Sequence, residues 1–142
     1  MSLIDNKTAA ETLAKQLPHL TLKERTGLTD LVKRLYQHYG FDLRRVVLFG
    51  SKARGDFYHE SDLDVLVVVR MASHNYWRYW NEITTLVWQI ELEYDLVISL
   101  LVENEPDYAI MSKHELLLTK NIERDGIELW TMPPNEPIFK PG

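Results

Sequence analysis

Apolar positions recur along this chain in two rhythms, one helical and one of short unbroken runs. Leu13 and Leu17 lie four apart, behind Asp5 or Asn6 as a cap and ahead of Pro18, so a short helix is expected over residues 5–17. Thr21 and Glu24 have the spacing of a capping box. Leu28, Leu31, Val32, Leu35 and Tyr39 then repeat at helical intervals up to Gly40, which predicts a second helix. Arg45–Phe49 is short and rich in β-formers, and Leu63–Val69 is a nearly uninterrupted apolar run; both read as strands, the second covered on both faces. Ser73 can cap a long helix running to about Glu91, with Tyr76, Tyr79, Trp80, Ile83, Leu86, Val87 and Ile90 on its inward stripe. A third strand is expected at about Tyr94–Val102. Ser112 and Glu115 have capping-box spacing ahead of Leu116, Leu117 and Ile122, which predicts a helix ending near Gly126, and Ile127–Trp130 reads as a short edge strand. The order helix, strand, turn, strand, helix, strand, helix describes an α/β arrangement around a small sheet.

Composition narrows what this fold can do. At 142 residues with 45% apolar and 26% charged positions, the chain can bury a core without a disulfide or metal staple. The lack of cysteine removes thiol catalysis and zinc–thiolate sites, and it fits a reducing compartment. With 21 acids against 16 bases, the formal charge of −5 disfavours stable nucleic-acid binding by phosphate neutralisation. The longest apolar run, Val65–Val69, is far short of the roughly 20 residues that span a bilayer. The first residues lack the basic-then-apolar pattern of a signal peptide, so a cytoplasmic protein is expected.

The chemistry concentrates between residues 48 and 65. Asp62 and Asp64 are two apart, which in a strand turns both carboxylates to one side while Leu63 and Val65 anchor the other. Paired carboxylates repel and raise each other's pKa unless a cation lies between them, and the usual partner is a divalent ion with oxygen ligands, most often magnesium. Asp95 falls within the expected third strand; if that strand lies beside the second, it joins the pair. Three carboxylates can hold two metal ions about 4 Å apart, an arrangement suited to phosphoryl or nucleotidyl transfer. Two such ions would bring the charge of −5 to about −1, so part of the acidity reads as an unfilled metal site. On the other side of the same turn, Gly50 permits close backbone approach to a phosphate and Ser51 adds a hydroxyl donor. The residues after them are expected to start a short helix whose amides favour anions. Lys52 and Arg54 add positive charge: Arg54 can fork onto phosphate oxygens, whereas Lys52 is a point charge that either joins it or faces solvent.

Gly50-Ser51, ten residues, Asp62-Leu63-Asp64 and the later Asp95 resemble the signature of the DNA-polymerase-β-like nucleotidyltransferases. The Phe49-Gly-Ser-Lys-Ala-Arg-Gly55 run in a short chain is more narrowly similar to the minimal nucleotidyltransferase antitoxins paired with HEPN toxins. The resemblance covers about residues 25–130. It implies a small mixed sheet flanked by helices (α/β, α+β), in one domain over residues 1–132. Residues 1–20 would then be a helical extension and 133–142 a proline-rich tail. It further implies two magnesium ions held by Asp62, Asp64 and Asp95, with Asp95 also helping to deprotonate the acceptor. ATP would be bound through Gly50, Ser51, Lys52 and Arg54. The implied activity is transfer of AMP to a hydroxyl, in this subfamily a tyrosine of a separately encoded HEPN toxin, as the antitoxin of a type VII-like pair. Two alternatives stay open: a non-catalytic antitoxin that occludes its toxin, and transfer to a small molecule or RNA end. Where larger relatives carry their own acceptor-binding domain, here a partner or a second copy of the chain must supply it.

Other residues carry less. The five histidines have no ligand spacing, although His59 lies in the loop leading to the acids and is the one placed to touch substrate. Trp77 and Trp88 fall off the core stripe of their helix, eleven positions apart on one flank; they read either as a partner-binding face or as a surface covered by the terminal helix. Arg44-Arg45 reads as a polar strand entrance and Glu103–Asp107 as a solvated loop.

Overall fold

The computed structural model describes residues 20–56 and 62–132. The expected helix over 5–17, the proline-rich tail and His59 lie outside the described residues. Helix α1 (Leu22–Tyr39) begins where the capping box puts it: the Glu24 amide donates to Thr21 Oγ1 at 3.1 Å, and the Thr21 amide donates to Glu24 Oε1 at 2.9 Å. Gly40, at φ +56, closes it. A 3-10 turn leads into β1 (Leu43–Phe49), then a four-residue helical turn α2 (Ser51–Arg54), β2 (Leu63–Val69) and the long helix α3 (Tyr76–Tyr94). Strand β3 (Ile98–Asn104), helices α4 (Glu105–Lys113) and α5 (Leu117–Asp125), and β4 (Ile127–Thr131) complete the order.

The sheet is mixed, in the order β3-β2-β1-β4: β1 runs antiparallel to both β2 and β4, while β2 and β3 are parallel. Continuous apolarity in β2 has the expected meaning. Leu63, Val65, Val67 and Val69 pack with α1 and α3 on one face, and Leu66 and Val68 pack with Tyr108 and Ile122 on the other. The inward stripe of α3 is likewise as expected, with Ile83, Val87 and Ile90 buried and Tyr76, Tyr79, Trp80 and Leu86 packed at its margins. Each fully buried Leu, Ile or Val contributes about 1.5–3 kcal/mol, so the strands owe their stability to this double cover more than to propensity.

Five sequence expectations are corrected. The α3 helix starts at Tyr76 after a 3-10 turn over Ser73–Asn75, and its N-cap Asn75 makes no side-chain cap bond, so Ser73 is not the cap. It also extends past Glu91 to Tyr94. Two tertiary contacts hold that last turn: the Tyr94 hydroxyl donates to Asp30 at 2.7 Å, and Arg34 pairs with Glu93 at 2.7 Å. The third strand therefore begins at Ile98, later than residue 94. Glu105 and Asp107 are not in a loop. They occupy the first turn of α4, which favours acids; Asn104 caps it by accepting the Asp107 amide at 2.8 Å, and Arg44 holds Glu105 at 2.9 Å. Ser112 and Glu115 form no capping box, because Ser112 lies in the last turn of α4, Glu115 adopts φ +53, and α5 starts at Leu117.

The α5–β4 connection depends on Gly126. A Cβ there would overlap the Ile122 carbonyl oxygen and lie 2.8 Å from Val47 Cγ1. A backbone carbonyl cannot swing aside as a side chain can, so Gly126→Ala is expected to destabilise the fold by about 1–3 kcal/mol. Urea unfolding of the variant beside the wild type measures this. No described helix is long and apolar enough to cross a membrane.

Candidate active site

Strand β1 ends at Phe49, which pairs with Asp64, so the residue after it must turn within reach of that carboxylate. Gly50 makes the turn at φ +74 and ψ −159 and lies directly against Asp64: a Cβ at this position would overlap Oδ2 and sit 3.1 Å from Cγ. No residue with a side chain could take this place without displacing the acid. The amides of Ala53 and Arg54 both donate to the Gly50 carbonyl at 3.1 Å, winding α2, and Gly55 closes it at φ +84.

Asp64 is half-buried on β2, and β3 brings Ser99 alongside in register. Asp62 stands exposed just before β2. Burial pushes the Asp64 carboxyl above its ordinary range and the charge of Asp62 raises it further; the Ser99 hydroxyl and the Arg54 guanidinium pull the other way. Two carboxylates with that much uncompensated negative charge fit a divalent cation. Asp62 and Asp64 are the donors the structure offers for one.

The structure brings Gly50, Ser51, Asp62 and Asp64 to one end of the sheet, with Arg54 exposed on the following turn and paired to Asp56 at 3.2 Å. Two other candidates have charged partners of their own. Asp95 is the C-cap of α3 at φ +52, three residues ahead of β3. Its side chain is 99% exposed, beside Lys23 at 3.4 Å, while Lys23 also donates to the Asp95 carbonyl at 3.0 Å. The reason is local: the Asp95 and Leu96 amides both close on the Glu91 carbonyl, and the Glu91 side chain takes the Ile98 amide at 3.0 Å, so the left-handed turn falls on residue 95. Among the described residues, no three His, Asp or Glu side chains gather as a metal-holding group. Lys52, expected at a phosphate or in solvent, turns inward to 2% exposure and pairs with Glu24 at 2.9 Å. A buried ammonium needs an anion, and Glu24 is the anion α1 presents.

Sequence reasoning missed Ser99 and Glu24 as neighbours of this end of the sheet. Only the β2–β3 register identifies Ser99. Glu24 was visible as a capping residue, but nothing in the sequence shows where its second carboxylate oxygen goes.

Similarity to known proteins identifies the family. A family model described as "Polymerase beta, Nucleotidyltransferase" matches residues 31–130. Two proteins of Methanocaldococcus jannaschii are similar in sequence. The one named "Putative protein adenylyltransferase MJ0604" is 31% identical over 84 residues, covering 59% of this chain and 77% of its own. That named "Putative protein adenylyltransferase MJ0141" is 42% identical over 57 residues, covering 40% of this chain and 56% of its own. In fold, the chain is similar to a crystal structure from Sulfolobus solfataricus described as a "putative nucleotidyltransferase", with a TM-score of 0.54 and 18% identity, covering 97% of this chain and all of the other. The matched span contains residues 50–64, the first three strands and all but the last residue of β4, and the chain belongs to the polymerase-β nucleotidyltransferase family.

Proposed function

We propose that this chain transfers AMP from ATP to a hydroxyl of a partner protein, and that the acceptor is a tyrosine of a HEPN-type toxin for which the chain is the cytoplasmic antitoxin. The observation that carries the reading is Gly50 pressed against the Asp64 carboxylate, which sets a phosphate-accommodating turn beside a pair of metal-suited acids. The adenylyltransferase names of the two similar proteins support a protein acceptor. The toxin and its tyrosine rest on the narrower resemblance of the Phe49–Gly55 run.

In this reading Asp62 and Asp64 would hold magnesium, whose positive charge would offset that of the triphosphate and favour the ionised acceptor hydroxyl. The Gly50 backbone lets the triphosphate approach closely, the Ser51 hydroxyl donates to a phosphate oxygen, and Arg54 exchanges Asp56 for phosphate. The acceptor oxygen bonds to the α-phosphorus, the α–β bridging oxygen leaves with pyrophosphate, and the hydroxyl proton passes to Asp95, whose carboxylate leaves Lys23 to take it. Asp95→Asn is then expected to lower transfer about 100-fold with nucleotide affinity unchanged, since proton transfer by a placed side chain contributes about 10²–10⁴ in rate. Unchanged transfer would confine the chemistry to Asp62 and Asp64.

The test is mass spectrometry of a HEPN-type partner after incubation with this chain, ATP and magnesium. A gain of one or more AMP units is the expected result. No gain, with the toxin still neutralised, favours occlusion, and product formed without any HEPN protein favours a small molecule or RNA end. One observation gives occlusion its weight: Trp77 and Trp88 are 69% and 59% exposed on α3, and Leu92 is exposed one turn beyond them. Exposed tryptophans of this kind are common anchors in protein interfaces.

A further inference from the structure

We infer that Lys52 and Glu24 form a buried strut that positions the Gly50–Ser51 turn, which makes Glu24, on a separate helix, a positioning residue for the nucleotide. The inference rests on the nucleotide-binding reading above and concerns how that site is held in place.

The turn that would meet the triphosphate is weakly built on its own. Its helix has four residues, Gly50 offers no side-chain cap, and the bonds of its amides to Gly50 and Ser51 are internal to it. Lys52, the residue directly after Ser51, leaves the turn inward. Its ammonium meets Glu24 Oε2 at 2.9 Å, with Lys52 and Glu24 only 2% and 7% exposed. The far end of this contact is rigid. Glu24 Oε1 is already engaged by the Thr21 amide, and α1 is fixed to the core through Leu28, Leu31, Val32 and Leu35, all buried. Burial pushes the Glu24 carboxyl up, but the Thr21 amide and the Lys52 ammonium outweigh it and hold the group ionised. The charge pair therefore transmits the position of α1 to residue 52, and through one peptide to Ser51. Misplacing a contact group by about 1 Å can cost up to 100-fold in rate, so a short turn of this kind benefits from an external brace.

This reading and direct phosphate contact by Lys52 predict opposite outcomes for a change at Glu24. If Lys52 were a phosphate ligand, Glu24→Gln would release it, and ATP would bind as well or more tightly. If Lys52 acts through the strut, Glu24→Gln loosens the turn as Lys52→Met does. The experiment measures magnesium–ATP binding by calorimetry and thermal unfolding for the wild type, Lys52→Met, Glu24→Gln and the double variant. Each single variant is expected to weaken ATP binding about tenfold and to lower the unfolding temperature, because each removes one half of a buried charge pair. The double variant places two uncharged side chains together, so its unfolding temperature recovers, while ATP binding stays about tenfold weak because the brace is still missing. That separation of affinity from stability distinguishes positioning from a purely structural pair. Wild-type affinity or tighter in Glu24→Gln, or recovery of affinity together with stability in the double variant, overturns the inference. A wild-type chain that binds no magnesium–ATP overturns the nucleotide reading itself, while the stability measurements still report on the pair.

Discussion

Replacing Asp62 and Asp64 together by asparagine is expected to reduce AMP transfer at least 1,000-fold, equivalent to about 4 kcal/mol of transition-state stabilisation, without unfolding the chain. Asparagine keeps the shape, but it removes the charge that suits the pair to a cation. In the metal-free protein the exchange should raise stability slightly at neutral pH. Asp64 has a folded-state pKa above its ordinary 3.8, caused by burial and by Asp62, so the folded wild type binds protons that the unfolded chain has released. Its stability therefore falls as pH rises from about 3.8 through the folded-state value. The double variant lacks that fall. Transfer of labelled AMP, with urea midpoints across this pH range and with magnesium added, reads both effects. A double variant that retains transfer refutes the catalytic role of the pair.

Gly50→Ala is expected to lower transfer at least 100-fold, a larger loss than its effect on stability would explain. Two causes add. A non-glycine residue at φ +74 and ψ −159 is strained by about 1–3 kcal/mol, and the new methyl occupies the place of Asp64 Oδ2, forcing that carboxylate out of position. The structure supplies its own controls. Gly40 at φ +56 and Gly55 at φ +84 share the left-handed backbone, but a Cβ at either meets nothing within 4 Å. Gly40→Ala and Gly55→Ala should therefore lose stability with transfer nearly intact. Thermal unfolding and AMP transfer measured on all three variants separate backbone strain from encroachment on Asp64; equal transfer losses at all three would refute the close-contact account.

Legibility of the fold followed the strength of local signals. The Thr21–Glu24 box, the 63–69 apolar run and Gly40 each act within a few residues, and α1 and β2 lie where those signals put them. The margins that shifted did so through distant partners: Asp30 and Arg34 hold the last turn of α3, and Arg44 secures the start of α4. In the candidate site, the Gly50-Ser51 and Asp62-x-Asp64 spacing was readable because strand alternation fixes which side a carboxylate faces. The strand expected at Asp95 is absent for a different reason. Apolar neighbours made residues 94–97 look like strand, but a left-handed cap at Asp95 intervenes.

The sequence by itself determined that a helix with a capping box precedes two strands, that the second strand is covered on both faces, and that a glycine turn and two acids meet where the strands join. Periodicity and spacing suffice for that, because each relation is between residues close together along the chain. Tertiary structure alone decided that Ser99 lies beside Asp64 and that Asp95 stands off on Lys23. It also decided that the charge of Lys52 is spent on Glu24, 28 residues away, rather than offered to solvent. Those are pairings between remote segments, set by strand register and by the need of a buried charge for a partner, and no local pattern encodes either.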